Sequence, residues 1–189
     1  MKLIRQLSLA TLIFLASTQA HAASSAANSF SSYNEAWYFM PGAGTMMPDS
    51  VFTTAGNGAA FSLAFGRPVS KEWDIQINTN YGHTHEDGLT YQQNTLGVDG
   101  LFLFNREQLR PFLLFGGGYQ RDRLSAFNRE TVGNSPYLEA GLGVQLSLDQ
   151  RWALQLDFRR QLGFLRNDGF DSNRSRNNYV ELGVSYTFD

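Results

Sequence analysis

Period-two alternation of apolar and polar residues constrains this chain more than any other feature. From Tyr137 to Leu148, the residues Leu138, Ala140, Leu142, Val144, Leu146 and Leu148 alternate with Tyr137, Glu139, Gly141, Gly143, Gln145 and Ser147. Successive side chains of a strand point to opposite faces, so this segment has one wholly apolar face only if it is extended. Trp152, Leu154, Leu156 and Phe158 repeat the pattern against Ala153, Gln155, Asp157 and Arg159. So do Val180, Leu182, Val184, Tyr186 and Phe188 against Tyr179, Glu181, Gly183, Ser185 and Thr187. Trp73, Ile75, Ile77, Thr79 and Tyr81 alternate with Asp74, Gln76, Asn78, Asn80 and Gly82, and Leu96, Val98, Phe102 and Phe104 make a further apolar face interrupted by Gly100. Three segments carry a shorter or broken pattern. Phe61, Leu63 and Phe65 lie among small residues; Phe112–Arg121 is apolar on both faces at its start; Ala36–Gly44 contains Pro41, which lacks a ladder N–H and marks an edge or a bulge.

The N-terminus has a different character. Lys2 and Arg5 precede the apolar run Leu7–Ala16, and Ala20-His21-Ala22 offers small residues where a signal peptidase reads them. A run of roughly 10 apolar residues is about half of what a helix needs to cross a bilayer, which disfavours a membrane anchor. Residues 1–22 therefore read as a signal peptide cleaved after Ala22, residues 23–34 as a flexible Ala/Ser/Asn-rich leader, and residues 35–189 as one domain. With no cysteine there are no disulfides or thiolate metal sites, and a net charge of −2 exerts no global pull toward nucleic acid.

Alternation alone leaves open whether the apolar face packs a soluble core, as in a lipocalin-like barrel, or meets lipid. The polar face carries Asp74, Asp99, Glu139, Asp157, Arg159 and Glu181 on strand after strand, which suits a polar lumen. Aromatics gather near strand ends (Trp73, Phe104, Phe112, Trp152, Phe164, Tyr186, Phe188), where an interfacial girdle would sit. In such a barrel only alternate residues face lipid, which reconciles a mean hydropathy of −0.29 with a membrane location. Connections alternate in length. Arg67–Glu72, Asn105–Arg110 and Asp149–Arg151 are short, whereas Thr45–Asn57, His83–Gln92, Asp122–Ser135 and Leu165–Asn177 are longer and polar, as expected of periplasmic turns and external loops. Bacterial single-chain barrels use even strand numbers, so the expected fold is an all-β, eight-stranded antiparallel up-and-down transmembrane barrel with both termini in the periplasm.

The last strand, Tyr179-Val180-Glu181-Leu182-Gly183-Val184-Ser185-Tyr186-Thr187-Phe188, resembles the terminal signature of outer-membrane barrels, with Tyr179, Gly183, Tyr186 and Phe188 at the matching positions. In that family the barrel-assembly machinery reads this strand. The family ends on the aromatic, whereas Asp189 follows here, a departure expected to weaken recognition without abolishing it. Over residues 35–188, and most clearly in Arg110–Tyr119 and Trp152–Arg159, the chain resembles the eight-stranded OmpA-like barrels that stand alone without a peptidoglycan-binding domain. The resemblance implies a bacterial outer-membrane location, a place among outer-membrane lipid and lipopolysaccharide, and no wall-anchoring function.

Eight strands enclose an interior that side chains fill, which argues against a wide pore. An unpaired buried charge costs several kcal/mol, so Glu139, Arg159 and Glu181, in the outer half of adjacent strands, are expected to form an ion-pair cluster. Because carboxylates exceed cations on the lumenal face, any narrow path should favour cations. His83-Thr84-His85-Glu86-Asp87 holds metal-ligand residue types but heads into a loop with no third ligand in view, so no metal, cofactor or catalytic residue is expected. Some eight-stranded barrels resemble serine hydrolases acting on lipid A, with a Ser two residues from a His; here the residues two beyond His83 and His85 are His85 and Asp87. Arg166, Arg174 and Arg176, with Arg160 and Arg121 near the rim, are candidates for contact with lipopolysaccharide phosphates or an external partner, against the plainer reading of a solvated loop. A structural envelope role with at most a narrow pore is expected; an adhesin-like barrel acting through its loops is the alternative, and a lipid A-modifying enzyme stands third.

Overall fold

The computed structural model describes residues 36–48, 56–86, 88–126, 129–164 and 174–188. The signal peptide, the leader, Arg166 and Asp189 lie outside these residues. Every alternating segment is a strand: β1 (Trp37–Pro48), β2 (Gly58–Pro68), β3 (Trp73–Glu86), β4 (Leu89–Leu103), β5 (Leu109–Ala126), β6 (Arg129–Ser147), β7 (Trp152–Gly163) and β8 (Ser175–Phe188). Each pairs antiparallel with its sequence neighbours, and β1 also pairs with β8, closing the barrel. Closure leaves no sheet edge, so the ladder can cross hydrocarbon without unsatisfied backbone groups.

The alternation is inside out relative to a water-soluble protein. Ile77 and Leu182 on the outer wall are each 55% exposed, whereas Asp99 and Arg159 inside are 0% and 2% exposed. All six charged residues expected in the lumen are buried. A soluble barrel would bury the apolar face; here that face forms a continuous outer band that only lipid can cover. The lipocalin-like alternative is thereby excluded.

Near the end holding the short turns, aromatic rings pack along the outer wall. Trp37 stacks on Phe65 at 4.8 Å, Trp152 tilts against Tyr186 at 4.8 Å, and Trp73 meets Phe102 edge-on at 5.3 Å. Trp73 also covers Gly100, where an added Cβ would come within 3.2 Å of its ring, so the break in the β4 apolar face is filled from the neighbouring strand. One expected girdle member is misplaced. Phe112 turns inward and is buried with Leu101, Leu103 and Leu114 in a dry cluster within the barrel. The doubly apolar start of β5 reflects this: its inner residues serve a local hydrophobic core and its outer ones serve lipid.

Pro41 marks neither a sheet edge nor the end of a strand. It pairs in register with Leu63 of β2, while pairing with β8 runs from Trp37 to Phe39 and resumes at Gly42. The missing N–H is absorbed at the closing seam.

Two expected loops are strand instead. Among the described residues, 83–86 with 89–92 and 122–126 with 129–135 continue the β3–β4 and β5–β6 ladders as far as Glu86↔Leu89 and Ala126↔Arg129. With 18 and 19 residues, β5 and β6 exceed the roughly 9–11 that a tilted strand needs to span a bilayer. In the surplus of β5 the outward residues Arg121, Arg123 and Ser125 are polar, so the apolar outer period that signals a strand disappears, while Leu124 on the inner side packs against the cluster of Met46, Tyr91 and Tyr179.

The short turns are locked by side chains. Ser70 Oγ accepts the N–H groups of Glu72 and Trp73, and Asn105 Oδ1 accepts that of Glu107, each at 3.1 Å. Asp149 Oδ1 accepts those of Arg151 and Trp152, both at 2.7 Å, and these bonds hold its carboxyl below the ordinary aspartate range. A carboxyl whose pKa falls on folding stabilises the fold above its unfolded value of about 4 and loses that contribution as pH drops through the folded value. Asp149→Ala is therefore expected to lower the temperature of the unboiled-to-boiled gel transition at pH 7, with the gap to wild type narrowing in acid. A gap that ignored pH would assign the effect to turn geometry alone.

Candidate functional site

The chemistry of this protein lies in its lumen, where polar side chains meet in three levels. Strand alternation aims them inward, and the glycines of the inner face make room. A Cβ on Gly97 would lie 2.1 Å from the Tyr137 hydroxyl, and one on Gly66 would lie 2.6 Å from that of Tyr38.

The level farthest from the termini centres on Asp122. Its Oδ1 accepts the Tyr91 hydroxyl at 2.6 Å and the Gln93 amide at 2.9 Å, and its Oδ2 accepts the Gln120 amide at 2.5 Å. Gln120 also donates to Ser175 Oγ at 2.8 Å, Asn177 donates to the Tyr91 hydroxyl at 3.0 Å, and the Tyr179 hydroxyl donates to Gln93 Oε1. Tyr91 and Gln93 lie on β4, whereas Asn177 and Tyr179 lie on β8, on the far side of an eight-stranded ring. Bonds between opposite walls tie the barrel across its diameter. Sequence reasoning missed this level because Tyr91, Asp122, Ser175 and Asn177 all fell in expected loops. The available signal was the continued alternation Tyr91-x-Gln93 and Gln120-x-Asp122.

The middle level holds the expected ion-pair residues. Arg159 Nη2 lies 3.3 Å from Glu181 Oε2, and Arg159 Nε lies 2.9 Å from Asp157 Oδ1, with all three residues buried. Asp157, two residues before Arg159 on the same inward face, thus takes a place that the sequence reading did not assign it. Glu139 has Arg159 and the like-charged Asp99 among its neighbours but forms no ion pair with Arg159, and neither of its carboxylate oxygens accepts a hydrogen bond. Glu181 sits level with Asp157 and Glu139 level with Gln161, two residues to either side of Arg159, and the guanidinium turns toward the Asp157 level. Asp99 is held from β3, accepting the Gln76 amide at 3.0 Å and the Asn78 amide at 2.5 Å. Among the described residues, Asp99, Asp122, Glu139, Asp157 and Glu181 face the interior around the single buried cation Arg159.

The third level is a polar vestibule of about 200 Å³ at the end holding the termini, lined by residues including Tyr38, Asp74, Arg106, Arg110 and Gln145. Arg106, which sequence reasoning overlooked as a turn residue, donates to the carbonyls of Lys71 and Ser70 at 2.6 and 2.8 Å and to Asp74 Oδ1 at 2.5 Å. It ties one short turn to the next.

The terminal-strand residues divide between faces. Tyr179 and Gly183 point inward, Gly183 against Met40, while Tyr186 and Phe188 belong to the outer aromatic belt. Arg176 is exposed on β8 opposite Leu162, and Arg174 directly precedes that strand. Arg121 and Arg160 are likewise exposed. His85 Nδ1 lies 2.8 Å from Thr90 Oγ1, and among the described residues no group of three or more His, Cys, Asp or Glu is placed to hold a metal.

No protein-family model matches the sequence, and no curated protein matches it. Solved structures do match. Neisserial surface protein A superposes with a TM-score of 0.68 at 14% identity, over 80% of this chain and 97% of that one. Ail, the attachment invasion locus protein of Yersinia pestis, gives 0.56 at 15% identity over 82% and 100%. The outer membrane protein OprG of Pseudomonas aeruginosa gives 0.55 at 11% identity over 82% and 97%. At these identities the likeness is one of fold, and that fold is the eight-stranded OmpA-like transmembrane barrel.

Proposed function

We propose that this protein is an integral, non-enzymatic barrel of the bacterial outer membrane, exported by a signal peptide cleaved after Ala22, whose role is structural support of the envelope. The observation that carries the reading is the inverted polarity of the wall combined with a lumen bonded across its diameter between β4 and β8. A barrel so cross-tied leaves at most a narrow path, and its excess of lumenal carboxylates would make that path prefer cations. Tyr179, Gly183, Tyr186 and Phe188 would present the strand read by the barrel-assembly machinery. Arg121, Arg160, Arg166, Arg174 and Arg176 would meet the phosphates of lipopolysaccharide or an external partner, guanidinium being suited to bidentate contact with them.

The first test is gel migration of mature protein extracted from membranes. Faster migration unboiled than boiled, with β-rich circular dichroism in detergent, is the expected result; a protein that stays soluble without detergent and shows no shift overturns the reading. In planar bilayers the folded protein is expected to show no porin-sized conductance steps, and large, stable steps would replace the structural role with a diffusion pore.

The tall β5–β6 hairpin favours a second reading, an adhesin-like barrel that binds through the parts standing above the membrane. Ail bears the name of an attachment protein and shares the fold. Shortening β5–β6 by matched residue pairs at the tip should abolish binding to host cells while the gel shift persists. If wild-type protein fails to bind cells at all, this second reading falls.

A further inference from the structure

The vestibule has a charge distribution that the envelope role does not use. On its inner side the Tyr38 hydroxyl donates to Gln76 Oε1 at 3.1 Å, with Gln76 in turn donating to Asp99, so hydrogen-bonded side chains stand between it and the middle level. Three arginines line it, with Arg151 exposed on the Asp149–Arg151 turn and Arg106 and Arg110 set deeper. Arg106 is neutralised by Asp74 at 2.5 Å and held rigid by two turn carbonyls. Arg110 is different. Its Nε donates to the Glu107 carbonyl at 2.8 Å and its Nη1 reaches Gln145 Oε1 at 3.5 Å, but among the described residues no carboxylate lies within ion-pairing distance of it. The other acidic residue of the lining, Asp149, is occupied with two backbone N–H groups of its own turn.

We propose that the vestibule is a binding site for a small oxyanion, a carboxylate or a phosphate presented from the side of the short turns, with Arg110 as its principal contact. Three physical points support this. A half-buried cation whose neighbouring carboxylate, Asp74, is already ion-paired with Arg106 is stabilised by a further anion that can reach it. A guanidinium has five N–H donors in a planar fork; Arg110 spends two on the groups that orient it, leaving donors for a paired-oxygen ligand. The surroundings are polar, with Gln145, Ser185 and Thr187 in the lining, and at about 200 Å³ the cavity has room for such a group and its water.

The test titrates refolded mature protein in zwitterionic detergent at constant ionic strength, following binding by isothermal titration calorimetry. The probes are inorganic phosphate and an acetylated alanine tripeptide with either a free or an amidated C-terminus. Saturable binding of phosphate or the free-carboxylate peptide is expected, with the amide failing. Tighter phosphate binding assigns the site to phosphate ligands, and tighter peptide binding to carboxylates borne on larger molecules. Arg110→Gln should weaken binding by about tenfold or more, as expected for loss of a charge-assisted bidentate contact. Arg123→Gln, at the opposite end of the barrel beside Glu130, should leave it unchanged. Arg110→Lys, which keeps the charge but not the fork, should bind several-fold more weakly than wild type and supplies the readout should the Gln variant fail the gel-shift test for folding. Binding heats that do not saturate, or that are the same in the folded Arg110 variants, overturn the proposal.

Discussion

Arg159→Met should destabilise the folded barrel by about 3–5 kcal/mol, the scale for removing one partner from a buried ion pair. Arg159 is the counter-charge for Asp157 at 2.9 Å and Glu181 at 3.3 Å, and all three residues are buried. Without it, two carboxylates remain in a narrow interior beside Glu139, which already lacks a hydrogen-bond partner. The measurement is the urea midpoint of the folded gel band in lipid vesicles. Removing the stranded charges together, as Arg159→Met with Asp157→Asn and Glu181→Gln, should recover most of the loss, since the cost comes from the uncompensated carboxylates. If the single variant proved as stable as wild type, the middle level would carry no ion-pair energy. If the triple variant were no better than the single one, the loss would belong to packing around the guanidinium stem.

The second large effect distinguishes a lipid-facing wall from a water-facing one. Val98 lies on the outer face of β4, opposite Ile77 and Gly117, and is 52% exposed. On a soluble protein, a charge at so open a position costs almost nothing. In a bilayer, Arg near the midplane of a barrel's outer face costs about 2–4 kcal/mol. Val98→Arg should therefore lower the urea midpoint in vesicles strongly. Arg placed at Asn94, four residues toward the strand end and also exposed, should have little effect, because the penalty falls to about 0–1 kcal/mol near the interface. Equal tolerance at the two positions would mean that the apolar band is not covered by lipid.

Both predictions draw on information of unequal visibility in the sequence. The outward face of Val98 follows from alternation alone, because a strand has only two faces and lipid demands one kind of residue on one of them. The same logic places Glu139, Arg159 and Glu181 in the lumen. It does not decide which of them touch. Register sets Glu181 level with Asp157 and Glu139 level with Gln161, and the guanidinium of Arg159, between those levels, turns toward the first, so that Asp157 and Glu181 reach it while Glu139 does not. Vertical position along a strand cannot be deduced from a pattern that repeats every two residues.

Alternation also fails where the solvent on the outer face changes. Tyr91, Asp122, Ser175 and Asn177 belong to segments with no apolar period, because their outward neighbours stand in water and not in lipid. They read as loop, yet closure of the barrel brings them together as one hydrogen-bonded level. Phe112 presents the opposite case, an aromatic near a strand end that reads as girdle but turns into the barrel to pack on Leu101, Leu103 and Leu114. The sequence by itself determined the strand number, the antiparallel order and the polarity of each face, since those are local consequences of side-chain direction and of the medium each face meets. Only the tertiary structure decided which lumenal groups pair, where the lumen is tied across and that Asp74 forms its ion pair with Arg106 and not with Arg110, because those facts depend on register and closure, which bring together residues far apart in the chain.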